Sequence, residues 1–171
     1  SGAARMGEAL DEINDELENI RRGWQWAINC NDIDLIRLYA FGFYQYLLRR
    51  GFIKEGEEIF RNAIKTIDWT KATFGSTVKT NLVLFQANLL FQLGDFKQAK
   101  DLLEEITPIL QQTHSINELV TAYQCLGMIE NIKGEFEQGN QLLNLALSLC
   151  TTQESETNKA HILITLGVNQ I

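Results

Sequence analysis

The chain has 171 residues, 45% of them hydrophobic, and a formal net charge of -7 with a pI near 4.9. This length can bury a sizeable core, whereas the acidic balance disfavours nucleic acid as a partner, because phosphate contacts need a face rich in lysine and arginine. No uninterrupted apolar run approaches the roughly 20 residues of a membrane span, and no charged-then-apolar signal segment opens the chain. We therefore expect a cytoplasmic domain without direct nucleic-acid or membrane binding.

The chain begins with Ser1-Gly2-Ala3-Ala4-Arg5 and lacks an initiator methionine. We interpret residues 1–7 as the remnant of a tag or linker, and residues 8–171 as one helical-repeat domain cut from a longer protein. The three cysteines are far apart and odd in number, so they do not indicate a disulfide framework and they fit a reducing compartment. They are Cys30, Cys125 and Cys150.

Apolar residues recur at helical spacing along the whole chain, as in Leu142, Leu145 and Leu149. The sequence contains one proline and no alternating segment of useful length that would predict a strand. Helices are therefore predicted near residues 8–30, 33–50, 53–67, 77–93, 96–112, 116–133, 136–150 and 156–169. The stretch 68–77 lacks this periodicity and is predicted to form a wider loop.

The first two predicted helices carry a dense group of aromatic residues. Side chains of this size at helical spacing favour core packing over a binding pocket, because they bury large apolar areas. An exposed subset would instead mark a docking face for a neighbouring domain. The group consists of Trp24, Trp26, Tyr39, Phe41, Phe43, Tyr44 and Tyr46.

Three segments begin with a glycine, at Gly51, Gly94 and Gly134, and the glycines are 43 and 40 residues apart. Each segment has a small residue five positions after its glycine and apolar residues at the eighth and ninth positions. The glycine can adopt the left-handed conformation that ends a helix, and the small residue lets the next helix pack closely. This period predicts a solenoid with one helical hairpin per repeat.

The pair Leu126-Gly127 recurs as Leu166-Gly167, so the last predicted helix opens a hairpin whose second helix is absent. That helix is either a terminal cap or the start of a truncated repeat. The predicted fold class is all-α, a right-handed superhelix of antiparallel helix pairs with about eight helices in total. An open terminal repeat could also support self-association.

The series Leu-Gly-x6-Gly-[Asp/Glu]-Phe-x2-[Ala/Gly]-x3-Leu resembles the tetratricopeptide repeat (TPR) consensus, and the resemblance covers about residues 37–171. The segment from Leu126 to Leu147 carries the best match. The chain departs from the consensus where Tyr44 replaces a small residue and where Ile106 replaces the usual alanine. The resemblance implies a TPR-like α-solenoid.

A second resemblance lies nearer the beginning of the chain, in Glu18-Asn19-Ile20-Arg21-Arg22-Gly23-Trp24-Gln25-Trp26-Ala27, in Asn31-Asp32, and in Leu48-Arg49-Arg50-Gly51 with Glu55-Gly56. These residues look like the opening of the TPR-like region in bacterial signal-transduction ATPases of the STAND class, which include maltose-activator-like transcriptional regulators. The resemblance implies a sensor, an autoinhibitory surface or an assembly platform that follows a nucleotide-binding and winged-helix portion.

The expected function is therefore a non-catalytic module of a bacterial signalling or transcription regulator that binds a protein, a peptide or a small effector. The alternative is a structural self-assembly domain. In TPR hairpins the first helix lines the concave face, so the resemblance predicts a partner groove with Asn and Gln side chains, which can pair with a peptide backbone. The alternative is that these amides only form an ordinary solvent-exposed polar face of a helix. The predicted groove residues are Gln45, Arg49, Asn81, Phe85, Asn88, Gln92, Gln124, Met128, Asn131 and His161, together with Leu84, Phe91, Thr121, Cys125, Ile132 and Thr165 at neighbouring consensus positions.

The sequence suggests no catalytic residues, no metal and no cofactor. His114, His161 and the cysteines lack the spacing of metal ligands, and the phosphate-loop pattern is absent, so any ATPase activity would belong to another domain. We interpret Cys125 as a packing residue. Adjacent carboxylates on a helix point in different directions, so Glu57-Glu58 and Glu104-Glu105 are predicted to lie on solvated faces.

Overall fold

A computed structural model describes residues 17–150 and 156–168. It confirms the predicted all-α class: the described residues form eight α-helices and no strand. The predicted start of the first helix, residues 8–16, and the predicted linker, residues 1–7, lie outside the described residues. The helices are α1 (Leu17–Cys30), α2 (Ile33–Arg50), α3 (Ile53–Thr66), α4 (Gly75–Gln92), α5 (Phe96–Gln112), α6 (Ile116–Ile132), α7 (Phe136–Leu149) and α8 (Glu156–Val168).

The largest departure from the predicted boundaries lies between α3 and α4, where a wider loop was expected over residues 68–77. A 3-10 turn at Trp69–Lys71 occupies part of this stretch, and α4 already begins at Gly75. The Trp69 indole Nε1 donates to the Ile64 carbonyl at 3.0 Å. A Cβ on Gly75 would overlap the backbone carbonyl of Trp69, so glycine is required for this close approach.

Five of the joints between helices contain a residue in the left-handed conformation. Glycine takes this role after α2, α4 and α6, with φ of 77° at Gly51, 80° at Gly94 and 87° at Gly134. Asn31 and His114 take it after α1 and α5, with φ of 55° and 53°. The predicted role of the three repeating glycines as helix terminators is therefore confirmed.

Cα packing divides the chain into two compact units, residues 1–82 and 83–171, and the division falls within α4. In the first unit α1 packs on α2, and α2 packs on α3. The Trp24 ring meets Phe43 and Phe60 edge-on at centroid distances of 5.5 and 5.6 Å, and Tyr44 meets Phe60 at 6.3 Å. Edge-to-face aromatic contacts therefore form the centre of this unit.

In the second unit α6 packs against α5, α7 and α8, and α7 also contacts α8. The backbones of α6 and α7 come close together at two glycines. A Cβ on Gly127 would lie 2.8 Å from Leu143 Cγ and 3.0 Å from the carbonyl oxygen of Gly139. Larger residues at these positions would force the two helices apart.

The repeat register seen in the sequence corresponds to a repeat of buried positions. The residues seven before, five after and nine after each turn glycine are buried in all three hairpins, so the same three positions build each hairpin core. In chain order they are Tyr44, Gly56 and Phe60; Ala87, Ala99 and Leu103; and Gly127, Gly139 and Leu143.

The aromatic group of α1 and α2 is divided between core and surface. Trp24, Phe43, Tyr44 and Tyr46 are buried, as expected for packing residues. Trp26 and Phe41 are 55% and 62% exposed, so they form an exposed subset.

Pro108 lies inside α5. A proline has no N–H, so the Glu104 carbonyl lacks the helical hydrogen bond that residue 108 would otherwise donate. One residue earlier, the Thr107 hydroxyl donates to the Leu103 carbonyl at 2.6 Å. Among the described helices, none combines the length and the apolar character that crossing a membrane requires.

Candidate functional site

One face of the first helix in each hairpin stays accessible, and we call the residues on that face the accessible stripe of the helix. Its members are three or four positions apart on each helix, so they lie on one side of it. They are all partly or fully exposed. The stripe consists of Leu38, Phe41, Gln45 and Arg49 on α2; Asn81, Phe85, Asn88 and Gln92 on α4; and Thr121, Gln124, Met128 and Ile132 on α6.

The stripe is most sharply defined on α6. Between Leu119 and Glu130 every residue is buried except Thr121, Gln124 and Met128. Helices α5, α7 and α8 cover α6 on its other sides. The accessible residues of α6 are therefore a narrow line on a helix that is otherwise part of the core.

The chemistry of the stripe differs between helices. On α2 it starts with two large apolar side chains, Leu38 at 75% exposure and Phe41 at 62%, and it ends with Gln45 and Arg49. Leu38 also lines an apolar pocket of about 400 Å³ in the first unit, together with Ile20, Tyr39, Gly42, Phe43 and Tyr46. On α4 three of the four stripe residues are amides, whereas on α6 the stripe has a single amide, Gln124.

Two polar groups of the stripe are partly engaged with their own helix. The Asn88 Nδ2 donates to the Leu84 carbonyl at 3.1 Å, and the Thr121 hydroxyl donates to the Asn117 carbonyl at 3.0 Å. An asparagine amide has two N–H donors and one carbonyl acceptor, so Asn88 keeps further hydrogen-bonding capacity for a partner.

The structure places seven of the ten predicted groove residues in the second unit: Phe85, Asn88, Gln92, Gln124, Met128, Asn131 and His161. Gln45, Arg49 and Asn81 lie in the first unit. His161 belongs to α8, but its side chain lies outside the described residues. Of the neighbouring consensus positions, Leu84 and Cys125 are 3% and 1% exposed, so they belong to the core and not to a partner surface.

Asn131 is turned away from the accessible stripe. Its side-chain nitrogen and oxygen are both buried without a hydrogen-bond partner. A Cβ on Gly139 would overlap this amide, which shows that Asn131 fills the space left by the missing side chain on α7. Its polar atoms are therefore inside the α6–α7 hairpin, where they cannot meet a partner lying on the stripe.

Glu130 forms a buried ion pair that the sequence interpretation missed. The side chain is 3% exposed, and its Oε1 lies 2.7 Å from Lys100 Nζ and 3.7 Å from Lys133 Nζ. Hydrogen bonding to Glu130, together with the charges of Glu130 and Glu104, raises the pKa of Lys100 against the opposing effect of burial. Glu130 stands four residues before its turn glycine, where Leu47 and Leu90 occupy the other repeats, so alignment of the repeats could have identified it.

The first unit contains a polar pocket of about 300 Å³ between α1 and α3. Both Nε and Nη2 of Arg21 donate to Oε1 of Glu55, at 2.8 and 2.6 Å. Trp24 is 3% exposed, and its Nε1 is buried without a hydrogen-bond partner. The lining residues are Arg21, Trp24, Gln25, Phe43, Glu55, Glu58, Ile59 and Asn62.

The remaining titratable groups are arranged as packing or surface residues. Burial raises the pKa of the Cys125 thiol to about 12, so this thiol is a poor nucleophile near neutral pH. The expectation that Glu57 lies on a solvated face is wrong, because Glu57 is 8% exposed and pairs with Arg61 at 3.3 Å. Glu58, Glu104 and Glu105 are exposed, as expected. No group of three His, Cys, Asp or Glu side chains suited to a metal ion occurs in the described part of the chain.

Comparisons of this chain with protein-family models, with curated proteins and with solved structures give no match. The resemblance to TPR regions of STAND-class regulators therefore stays a prediction. The accessible stripe and the polar pocket are two surfaces of the described residues that offer hydrogen-bonding groups.

Proposed function

We propose that this chain is a non-catalytic helical-repeat module that binds a segment of another protein along the stripe residues of α4 and α6 that lie in the second unit. The main support is the geometry of α6, where Thr121, Gln124 and Met128 alone are accessible within a buried stretch of twelve residues. The neighbouring helices hold α6 in place, so its accessible side chains form a rigid surface. Binding of a partner therefore costs this surface little conformational entropy. The amides of Gln124 on α6 and of Asn88 and Gln92 on α4 can donate to and accept from a peptide backbone.

The first unit carries a separate apolar surface on α2. Leu38 and Phe41 are large side chains with most of their surface in contact with water. A partner that covers them removes apolar surface from water, at about 25 cal/mol per Å² before the costs of association. A partner segment with apolar side chains would therefore fit this surface of α2.

The resemblance to regulators of the STAND class suggests the setting in which such a module would act. Under this proposal the chain is the interaction or sensing part of a cytoplasmic bacterial signalling or transcription regulator. Catalysis would belong to other domains of the same protein.

The test is peptide selection followed by substitution in the stripe. Peptides from a random display library are selected on the unmodified chain, and their affinities are then measured for the double variant Asn88→Ala and Gln124→Ala. Each lost hydrogen bond should weaken binding by about 0.5–1.5 kcal/mol, while the melting temperature stays nearly constant.

The second helix α7 offers a matched control. Asn144 is exposed and donates from Nδ2 to the Asn140 carbonyl at 2.9 Å, so it repeats the local bond of Asn88 outside the stripe. Gln141 is likewise exposed on α7. The variant Asn144→Ala with Gln141→Ala should bind the selected peptides normally. Equal affinity of both double variants would contradict binding along the stripe.

Self-assembly is the second candidate function, and α8 supplies the observation in its favour. Leu163 and Ile164 on this helix are 49% and 67% exposed. If they join copies of the chain, light scattering should give a mass above that of the monomer, and Ile164→Lys should restore the monomer. Stripe variants would leave this mass unchanged, so the two functions are distinguished by the same pair of measurements.

A further inference from the structure

The polar pocket between α1 and α3 has its own combination of groups. Arg21, Trp24 and Gln25 come from α1, whereas Glu55, Glu58 and Asn62 come from α3. Apolar side chains of Phe43 and Ile59 complete the lining. The pocket shares no residue with the accessible stripe, so its role can be tested independently of the proposed function.

Trp24 provides the first observation that points to a ligand. Its indole ring is held in place by edge contacts with Phe43 and Phe60. Its Nε1–H is nevertheless buried without an acceptor. By contrast, the indole of Trp69 donates to a backbone carbonyl at 3.0 Å. Buried donors of folded proteins nearly always have an acceptor, so an unpaired one in a pocket wall points to an acceptor supplied from outside.

The charges of the pocket indicate what accompanies that acceptor. The lining contains two carboxylates, Glu55 and Glu58, and one guanidinium, Arg21, so its formal charge is -1. Both donors of Arg21 converge on the single oxygen Oε1 of Glu55, and Glu58 is exposed at the rim. This arrangement favours a cationic group over an anionic one.

We propose that this pocket binds an organic cation with a neighbouring carbonyl oxygen, which is the chemistry of a basic amino acid. The carbonyl oxygen accepts from Trp24 Nε1, the cation lies against Glu55 and Glu58, and the aliphatic stem packs on Phe43 and Ile59. The volume of about 300 Å³ suits one such residue. Nε1 is closed to bulk solvent, so side chains of the lining must move to admit the carbonyl.

The indole N–H resonance of Trp24 reports directly on this contact. The sequence has three tryptophans, and Trp26→Phe and Trp69→Phe assign two of the three indole signals in a ¹⁵N-labelled sample, which leaves the third to Trp24. The probes are L-lysine, lysine capped as its Nα-acetyl amide, and norleucine capped in the same way. The capped norleucine keeps the carbonyl and the stem but lacks the cation.

We expect a lysine probe to shift the Trp24 indole signal in a saturable way, and the capped norleucine to bind at least about threefold more weakly. Saturation by free L-lysine only would identify a small-molecule site, and saturation by the capped residue would identify a site for a basic side chain of a partner protein. Both results support the same chemistry. An unmoved Trp24 signal, or equal binding of capped norleucine, would overturn the proposal.

A pair of charge-neutralising variants tests the carboxylates without disturbing the core. Glu58→Gln removes one negative charge from the rim and should weaken lysine binding about threefold. Glu105→Gln removes the same charge from an exposed position on α5 outside the pocket and should leave binding unchanged. Equal affinities of the two variants would refute the assignment of a cation to this site.

Discussion

The hairpins α2–α3 and α6–α7 share the same repeat pattern, but they differ in the size of the side chains at which their two helices meet. The positions seven before and nine after the turn glycine are Tyr44 and Phe60 in one hairpin and Gly127 and Leu143 in the other. The first pair meets as two aromatic rings, whereas the second brings the backbones of the helices together. The same repeat pattern therefore accommodates either two large side chains or two closely packed backbones, provided that the residues at both positions change together.

The ion pairs of the two units show a parallel contrast. Arg21 and Glu55 form a strong contact at 2.6 Å, but each side chain is about one-third exposed, at 34% and 35%. Glu130 is 3% exposed, and its contact with Lys100 is of similar length at 2.7 Å. Water can replace a lost partner only in the first case, so the distances alone do not give the energies.

The largest expected effect comes from Lys100→Met. This change keeps the aliphatic stem but leaves the Glu130 carboxylate buried without its closest cation, so unfolding free energy should fall by about 3 kcal/mol. Urea denaturation followed by circular dichroism measures the change.

The control is the double variant Lys100→Met with Glu130→Leu. Leucine occupies the equivalent position in the other two repeats, as Leu47 and Leu90, so this variant should recover most of the lost stability. An unchanged denaturation midpoint for Lys100→Met alone would mean that the buried ion pair does not contribute to stability as predicted.

A smaller effect is expected from Gly139→Ala, which tests the close approach of α6 and α7. The new Cβ would lie 2.9 Å from the Gly127 carbonyl oxygen and would overlap the Asn131 amide. Because backbone must move to relieve this contact, we expect a loss of about 2 kcal/mol in the same denaturation experiment. The second hairpin already carries Ala99 at this position, so an unchanged midpoint would mean that the glycine pair does not set the spacing of the helices.

Arg21→Met should have a still smaller effect on folding. The pair with Glu55 is partly solvated, and water can stabilise the carboxylate that remains, so the loss should stay below about 1 kcal/mol. Denaturation of this variant beside Lys100→Met compares the two ion pairs directly. A loss as large as that of Lys100→Met would show that the Arg21 pair is more deeply buried in solution than its exposure indicates.

The reactivities of Cys30 and Cys125 compare the two units without any substitution. Cys30 is exposed, whereas Cys125 is buried and burial raises its thiol pKa to about 12. Alkylation at pH 8 followed by mass spectrometry should therefore modify Cys30 well before Cys125. Because the folded pKa of Cys125 lies above the ordinary thiol value of 9.0, its contribution to stability should be complete below pH 9 and lost as pH rises from about 9 to 12. Early alkylation of Cys125 would contradict its burial.

Glycine spacing was enough to predict the joints of the repeats, because few residues other than glycine adopt a positive φ readily. The small residue five positions after each glycine is buried, as expected for close packing of the next helix. Glycine spacing could not predict the side to which Asn131 turns, since that depends on space left by Gly139 on the facing helix. It also missed the burial of Glu57 and Glu130, because a carboxylate in a helix is normally solvated unless a distant or neighbouring cation compensates it.

Trp24 shows a similar limit for the candidate pocket. Its place in an aromatic cluster could be inferred from the sequence, and its burial agrees with that inference. The unpaired Nε1–H and the nearby Glu55 and Glu58 become apparent only when α1 and α3 are brought together by packing on α2.

Pro108 has a consequence for the motion of the second unit. The missing N–H interrupts the hydrogen-bond ladder of α5 near its middle, and the Thr107 hydroxyl adds a second bond to the carbonyl just before the gap. Both features favour bending at one point of a helix. We therefore expect α5 to bend near Glu104. Amide hydrogen exchange should be faster beside Glu104 than at either end of the buried face of α5.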